Sequence, residues 1–201
     1  MKKKKELIRL DNVSKYYYMG DTVVKALNGL TFKVYEGEFV AIMGPSGSGK
    51  STAMNLVGSL DVPTKGKISL DGTDISELTE SELAQVRGKK IGFIFQSFNL
   101  IPNLTVKDNV MLPMMFLGEE EEERSDRAEE LLNLVGLGDR MDHYPTEISG
   151  GQMQRVAIAR SLANNPEVIL ADEPTGNLDT KTGDTVMNFL DKLNKEGKTI
   201  I

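Results

Sequence analysis

Residues 44–51 read Gly44-Pro45-Ser46-Gly47-Ser48-Gly49-Lys50-Ser51. The apolar run Phe39–Met43 precedes them, and residues 52–60 can form a helix. A strand, the pattern GxxxxGK[ST] and a helix, in that order, form a phosphate-binding loop. The glycines allow a tight turn that points successive N–H groups at one place, and the helix adds its positive end. We therefore predict that residues 44–51, together with Thr52, bind the phosphates of a nucleotide.

Two side chains of this loop have predicted roles toward the phosphates. Lys50 is expected to reach the β- and γ-phosphates, and Ser51 is expected to offer its hydroxyl group to Mg²⁺. The alternative is a Gly/Ser turn that matches the pattern by accident. The apolar run before the loop and the helical segment after it favour the nucleotide site.

The composition is ordinary for a globular protein of one domain. The 201 residues are 39% hydrophobic and 27% charged, and they include no cysteine, which excludes disulfides and thiolate metal sites. The net charge of −6 argues against a general nucleic-acid binder, which is normally basic. No apolar run approaches the roughly 18 residues that span a bilayer. Any role at a membrane is therefore expected to depend on a partner.

The strand patterns predict an α/β fold. Residues Leu7–Val13 are a candidate strand, and the alternation over Leu30–Val34 is typical of a half-buried strand. The unbroken apolar runs Phe39–Met43, Ile91–Phe95 and Val168–Ala171 are typical of parallel strands that are covered on both faces. The first forty residues are thus expected to be mainly β-structure, and the parallel strands are expected to form the core.

The helical patterns predict how the single domain is organised. From about residue 106 to residue 163 the apolar spacing becomes helical. We therefore predict a nucleotide-binding core of residues 1–96 and 164–201, with a helical insert over residues 97–163.

A second polar segment narrows the type of nucleotide site. The apolar run Val168–Ala171 ends at Asp172, and Glu173 follows directly. Open α/β sheets place ligands at the carboxyl ends of their strands, so Asp172 can hold Mg²⁺ there, directly or through water. Glu173 could then accept a proton from an attacking water molecule. The alternative is that the two acids are only surface charges. The buried strand before them and the phosphate loop in the same chain favour the nucleotide site over this alternative.

A third segment predicts a second anion site. The sequence Ile148-Ser149-Gly150-Gly151-Gln152 precedes an amphipathic helix. Ser149 is a favourable N-cap residue, and the two glycines leave the start of the helix accessible to an anion. Two anion sites are more than one ATP molecule requires, unless the second site serves the ATP bound to another copy of the chain.

Together, these motifs resemble the nucleotide-binding subunit of an ATP-binding cassette transporter. They are GPSGSGKST, the glutamine after a strand (Gln96), ISGGQ, VILADE and the following Asn177-Leu178-Asp179. The segments Asn99–Pro102 and Ala171–Asp179 are similar to the lipoprotein-release and macrolide-exporter subfamily. The resemblance implies an α/β fold with a P-loop NTPase core, an N-terminal antiparallel β subdomain and an inserted helical subdomain.

The resemblance also implies what the remaining motifs do. The signature of one subunit would cover the γ-phosphate that the phosphate loop of its partner holds; its residues are Ser149, Gly150, Gly151 and Gln152. Gln96 would sense the γ-phosphate and Mg²⁺ and link them to the helical insert. Asp179 would lie at the dimer seam. Tyr17 would stack on adenine, although a packing role among Tyr16, Tyr17 and Tyr18 is the alternative.

The implied catalytic set and metal ligands follow from these roles. The catalytic residues would be Glu173, Lys50 and Gln96. The Mg²⁺ ligands would be Ser51, Gln96 and Asp172. The expected cofactors are ATP and Mg²⁺.

The sequence departs from the family pattern at two points, of which the first is the conservative replacement of the leucine that opens the signature by Ile148; the second is serious. The family carries a histidine against the γ-phosphate, at the end of the strand that follows the Asp179 helix, whereas this sequence stops at Ile201 inside that predicted strand. The single histidine, His143, precedes the signature and is expected at the surface or at a helix end. We therefore expect the C-terminal part of the usual domain to be absent and the chain as given to bind nucleotide better than it hydrolyses it.

These observations predict an ATPase that dimerises around two Mg·ATP molecules and powers a membrane transporter. The implied partners are integral membrane permease subunits and a second copy of the chain, with no nucleic acid. The implied location is the cytoplasm, on the inner face of the cell membrane. One alternative is a non-transport cassette of DNA repair or translation, but the segment between Gln96 and Ser149 is too short for the repair-type coiled coil. The other alternative is a truncated cassette that binds ATP without efficient hydrolysis.

Overall fold

Two β-sheets and six α-helices form the protein, whose residues 4–201 are described by a computed structural model. The strands are β1 (Glu6–Met19), β2 (Thr22–Tyr35), β3 (Lys65–Leu70), β4 (Thr73–Asp74), β5 (Ile91–Ile94), β6 (Val168–Ala171) and β7 (Thr199–Ile200). The helices are α1 (Lys50–Val57), α2 (Glu80–Lys90), α3 (Val106–Phe116), α4 (Glu121–Leu134), α5 (Gly150–Leu162) and α6 (Thr180–Lys195). Short 3₁₀ helices span Gly138–Arg140 and Pro145–Glu147.

The first sheet is antiparallel, with the strand order β2-β1-β3-β4. Both strands predicted in the first forty residues are present, and both are longer than expected because β1 and β2 pair along a hairpin as far as Met19 and Thr22. The Asp71-Gly72 turn joins β3 to β4 with φ angles of 49° and 76°, the left-handed backbone that suits a two-residue hairpin loop. This sheet is the predicted N-terminal β subdomain.

The second sheet is parallel, with the order β5-β6-β7. All four positions of β5 pair with β6, and the N–H group of Asp172 continues the ladder by donating to the carbonyl oxygen of Ile94 at 2.9 Å. Ile94 and Ile169 are fully buried. The buried ladder fixes where the chain leaves β6, and so it fixes the position of the acidic pair that follows.

The predicted strand Phe39–Met43 is wrong over most of its length. Only Phe39 forms a bridge, parallel to Ile200, and the N–H group of Val40 donates to the carbonyl oxygen of Ile200 at 2.8 Å. From Val40 to Met43 the described chain forms no strand. Met43 is 89% exposed, although its apolar character predicted a buried strand.

The segment between β5 and β6 is mainly helical. Helices α3, α4 and α5 pack together through fully buried residues such as Val110, Met114, Leu132 and Val156. Thr105 caps α3 by accepting a hydrogen bond from the N–H group of Asp108. Helix α5 also packs on β5, so the same helix contacts both the insert and the core. No helix within residues 4–201 has the length and apolar character needed to cross a bilayer.

Candidate nucleotide-binding site

The predicted phosphate loop leads directly into α1. Gly47 and Gly49 have φ angles of 77° and 91°, which glycine adopts without steric cost. A side chain at Gly49 would place its Cβ 2.5 Å from the carbonyl oxygen of Ala26, so the loop lies directly against β2. No side chain caps the first turn of α1. Its N–H groups are therefore available to an anion.

The ammonium group of Lys50 lies within this loop. It donates hydrogen bonds to the carbonyl oxygens of Gly44 and Pro45, at 2.9 and 3.0 Å. The loop and β2 border a cavity of about 620 Å³. Its lining residues are Val24, Lys25, Ala26, Gly44, Ser46, Gly47, Gly49, Lys50, Ser51, Thr52 and Glu173. The positive charge of Lys50 thus faces the space that the glycines leave open.

The acidic pair lies beside the phosphate loop. Glu173 lines the cavity described above, and Lys50, Asp172 and Glu173 together line an adjoining groove of about 240 Å³. Glu173 has a φ of 46°, a left-handed conformation that is uncommon for residues other than glycine. The turn is closed by a hydrogen bond from the N–H group of Gly176 to the carbonyl oxygen of Glu173, at 2.9 Å. The structure therefore brings together the two motifs that lie more than a hundred residues apart in the sequence.

Side-chain oxygens that could hold Mg²⁺ are sparse in this region. Ser51 and Asp172 border the two adjoining cavities, and no group of three or more His, Cys, Asp or Glu side chains lies close enough for metal binding anywhere in residues 4–201. Mg²⁺ is commonly held by one or two protein oxygens together with substrate phosphates and water. The oxygen donors present fit that pattern and do not form a closed protein cage.

Tyr17 lies near the end of β1, in the β1–β2 hairpin. It pairs with Val24, which lines the 620 Å³ cavity, and its hydroxyl group is close to the side chain of Thr52. Tyr16 has a different environment, since its hydroxyl group bonds to Asn28 at 3.1 Å and Lys65 lies over its ring. Tyr17, unlike Tyr16, thus lies beside Thr52 of the phosphate-loop region.

Asp61, which the sequence reasoning missed, holds Tyr17 in place. Its carboxylate accepts hydrogen bonds from Tyr17 Oη at 2.9 Å and from Lys15 Nζ. Burial raises the pKa of Tyr17, and the bond to Asp61 adds to the increase. Burial opposes ionisation of Asp61, but the bonds from Lys15 and Tyr17 outweigh it and lower the pKa of this carboxyl group. No sequence motif marks Asp61, because its partners are about 45 residues away.

Gln96 follows β5 and lies against the loop that leaves β6. Its backbone carbonyl accepts a hydrogen bond from Asn177 Nδ2 at 2.8 Å, and a Cβ at Gly176 would lie 2.6 Å from Gln96 Nε2. Gln96 is not among the residues that line the two cavities. The structure brings Gln96 to the acidic loop but not to the phosphate loop, so its predicted contact with the nucleotide stays a prediction.

The signature residues lie elsewhere than the phosphate loop, at the start of α5. Ser149 caps this helix: its Oγ accepts from the N–H group of Gln152 at 3.3 Å, and Gln152 Oε1 accepts from the N–H group of Ser149 at 2.8 Å. None of the four signature residues lines either cavity at the phosphate loop. This placement agrees with a site that serves another copy of the chain, and the role itself stays a prediction.

Asp179 and His143 occupy helix ends. Asp179 caps α6, accepting from the N–H group and the hydroxyl group of Thr182 at 3.1 and 2.6 Å. The hydroxyl bond is the main cause of the lowered pKa of Asp179. His143 follows a 3₁₀ helix and contacts Arg140 at 3.1 Å, as expected for a residue at a helix end.

Two polar side chains of α5 connect this helix to the loops that follow β5 and β6, and sequence reasoning assigned them no role. Gln154 is fully buried, and its Nε2 donates to the carbonyl oxygen of Pro174 at 2.5 Å. Arg160 donates to the carbonyl oxygens of Phe98 and Asn99. Neither residue belongs to a motif that would mark these contacts in the sequence.

Comparisons with known proteins agree with this geometry. A family model described as ABC transporter matches residues 27–176. The chain is 56% identical over 197 residues to an uncharacterized ABC transporter ATP-binding protein of Thermotoga maritima, covering 98% of this chain and 84% of that protein. It is 52% identical over 195 residues to the macrolide export ATP-binding/permease protein MacB of Brucella melitensis, covering 97% of this chain and 30% of that protein.

A solved structure supports both the fold and the activity. The dimeric ATP-binding cassette MJ0796 of Methanocaldococcus jannaschii, in a post-hydrolysis state bound to ADP and Pi, has a TM-score of 0.88 and 50% identity to this chain. The alignment covers 96% of this chain and 86% of that one. The expected fold class and the resemblance stated from the motifs are confirmed. The chain belongs to the ABC transporter family, as an ATP-binding cassette whose enzymatic activity is the hydrolysis of ATP.

Proposed function

We propose that two copies of the chain enclose two Mg·ATP molecules, each held between the phosphate loop of one copy and the signature of the other. The observation that carries this proposal is the convergence of Lys50 and Glu173 on the same two cavities. The phosphate loop supplies N–H groups and a cation for the phosphates, while Glu173 supplies a carboxylate that can activate water. The dimeric state of MJ0796 supports the pairing of two copies.

The remaining residues have proposed roles around this centre. Ser51 and Asp172 bind Mg²⁺, and Gln96 reports the state of the γ-phosphate to the helical insert. Tyr17 stacks on adenine, and Asp179 contacts the partner copy. When bound, Mg²⁺ would neutralise charge on the β- and γ-phosphates. Lys50 would hold the same phosphates in line for attack.

The proposed partner is an integral membrane permease at the inner face of the cell membrane. The name of MacB joins an ATP-binding part with a permease part, which supports a transport role over the repair and translation alternatives. An apolar cavity of about 690 Å³ lies between α2, β5 and α3, with Phe93, Leu112 and Phe116 in its lining. Asn99 and Arg160 also line it. A permease segment in this cavity would therefore lie close to residues 96–99, the Gln96 loop.

Glu173→Gln tests the proposed function. The amide keeps the shape of the side chain but cannot take the proton, so ATP should still bind while turnover falls by about 10²- to 10⁴-fold. The variant should also accumulate as a dimer in size-exclusion chromatography with Mg·ATP. Glu122→Gln, at the exposed start of α4, is the matched control and should behave like the parent chain. An unchanged ATPase rate in Glu173→Gln would contradict the assignment of Glu173.

A further inference from the structure

The loop after Gln96 contains an unusual backbone. Phe98 and Asn99 are consecutive non-glycine residues with φ angles of 60° and 50°, in the left-handed region. The N–H group of Asn99 turns back to donate to the carbonyl oxygen of Ser97 at 2.6 Å. For a side chain as large as phenylalanine, this conformation persists only where the surroundings hold it.

Arg160 holds this turn from the far end of α5. Its Nη2 donates to the carbonyl oxygen of Phe98 at 2.7 Å, and its Nη1 donates to the carbonyl oxygen of Asn99 at 2.5 Å. The planar guanidinium group can bond both carbonyls at once, whereas an ammonium group cannot reproduce this fixed spacing. The guanidinium group makes these two bonds to neutral carbonyls while it is partly shielded from water. This burial lowers the pKa of Arg160.

The same turn reaches the signature. The tip of the Phe98 ring would lie 3.8 Å from a Cβ placed on Gly150. The Gln96 loop is therefore hydrogen-bonded to α5 through two carbonyls at Arg160, and it also brings the Phe98 ring near Gly150. Gln96 itself lies two residues before Phe98 and is joined to the acidic loop through Asn177.

We propose that Arg160 is a positioning residue that holds the Gln96 loop in register with the signature helix, so that turnover depends on it while binding of ATP to the phosphate loop does not. The inference rests on the proposed function, because it assigns a consequence to the positions of Gln96 and Gly150. Without both bonds to Arg160, the strained turn can relax. Gln96 and the Phe98 ring then leave the positions that the closed dimer requires.

Arg160→Lys tests this inference, with Arg155→Lys as its matched control. Arg155 also lies on α5 and also donates to two backbone carbonyls, those of Val135 and Gly136, at 2.8 and 3.4 Å, but these follow α4 and lie outside the Gln96 loop. Arg160→Lys should lower kcat by about 10-fold, on the scale of a small misplacement of reacting groups. The affinity of the monomer for ATP should stay within about twofold, and Arg155→Lys should keep the parent kcat.

A double-mutant cycle with Gln96→Ala separates positioning from general stability. If Arg160 acts through the Gln96 loop, Arg160→Lys should lower kcat much less in the Gln96→Ala background than in the parent chain. In a Glu173→Gln background, which needs no turnover, Arg160→Lys should raise the ATP concentration required for dimerisation, and Arg155→Lys should not.

The outcomes distinguish this inference from the proposed function. Loss of ATP-dependent dimerisation in Glu173→Gln alone would contradict the proposed function. Normal behaviour of that variant, together with equal effects of Arg160→Lys and Arg155→Lys on kcat and on dimerisation, would overturn the positioning role of Arg160. Additive effects of Arg160→Lys and Gln96→Ala would overturn it as well.

Discussion

The starts of helices α1 and α5 are both preceded by Ser/Gly-rich motifs, yet they differ in how their backbone N–H groups are satisfied. At α1 the residue before the helix is Gly49 in left-handed backbone, and no side chain caps the first turn. At α5 the N-cap is Ser149, which forms a reciprocal pair of hydrogen bonds with Gln152. The first helix start is open to a ligand, and the second is closed by its own side chains.

This difference matches two kinds of anion site. An open start must receive its hydrogen-bond acceptors from the ligand, as expected where a nucleotide is held by one chain alone. A capped start is stable without a ligand, and the hydroxyl proton of Ser149 is still free to be donated to a phosphate oxygen. Such a site needs no ligand of its own, and it can bind the nucleotide that another copy holds. The four predictions below test this distinction.

Lys50→Ala should have the largest effect. The open start of α1 depends on the Lys50 charge for its ligand, and hydrogen bonds to charged groups are each worth about 1.5–3 kcal/mol. We expect the affinity of the monomer for ATP to fall by about 100-fold or more. Titration of a fluorescent ATP analogue into the monomer measures this loss. Lys181→Ala, an exposed residue in the first turn of α6, is the control and should bind as the parent chain does.

Much of the fold follows from the sequence because its cues are local. The period of two in β2, the Asp71-Gly72 turn and the apolar runs of β5 and β6 each act within a few residues. The strand expected at Phe39–Met43 was wrong for a non-local reason. A strand needs a partner along its whole length, and the bridge to Ile200 supplies one only at the first position.

The candidate site divides in the same way. The loop at Gly44–Ser51 and the acidic pair after β6 were predictable for two reasons. A known motif indicates that each binds phosphate or Mg²⁺, and the apolar run before each indicates its place at the end of a strand. Asp61, Gln154 and Arg160 were not, since each acts on a backbone or hydroxyl group that is 20 to 62 residues away. A single sequence shows such residues only as polar positions on otherwise ordinary segments.

Tyr17→Ala should have the next largest effect, and it should act only on the nucleotide site at the open start of α1. If the ring stacks on adenine, its loss should cost roughly 1–3 kcal/mol of ATP affinity, and the loss should be similar for GTP. Tyr17→Phe keeps the ring but removes the bond to Asp61, so it should lose much less. The same fluorescence titration compares the two. A larger loss in Tyr16→Ala or Tyr18→Ala would mean that another tyrosine faces the base.

Ser149→Ala should leave the nucleotide site at the open start of α1 intact and weaken only the dimerisation of the chain. We expect monomer affinity for ATP within about twofold and an ATP-dependent dimer that is about 10-fold weaker, on the scale of one hydrogen bond to a charged group. Analytical ultracentrifugation in the Glu173→Gln background measures the dimer. Thr105→Ala removes an equivalent cap at α3 and should reduce stability without weakening the dimer. Equal loss of monomer ATP binding in Ser149→Ala and Lys50→Ala would contradict the two-copy site.

A loss of stability, and not of ATP affinity, should come from changing the second signature glycine, whose role within one copy is packing and not backbone freedom. Gly151 is outside the left-handed region, but a Cβ there would clash with Thr182 Cγ2 on α6. Gly151→Ala should therefore cost about 1–3 kcal/mol and lower Tm by about 2–10 °C. Thr182→Ser removes that methyl group and keeps the hydroxyl group that bonds to Asp179 at 2.6 Å. We expect Gly151→Ala/Thr182→Ser to regain most of the lost Tm in a thermal melt of the monomer, with Thr182→Ser alone close to the parent chain. If the double variant melts no higher than Gly151→Ala, close packing of α5 on α6 is not what requires a glycine at this position.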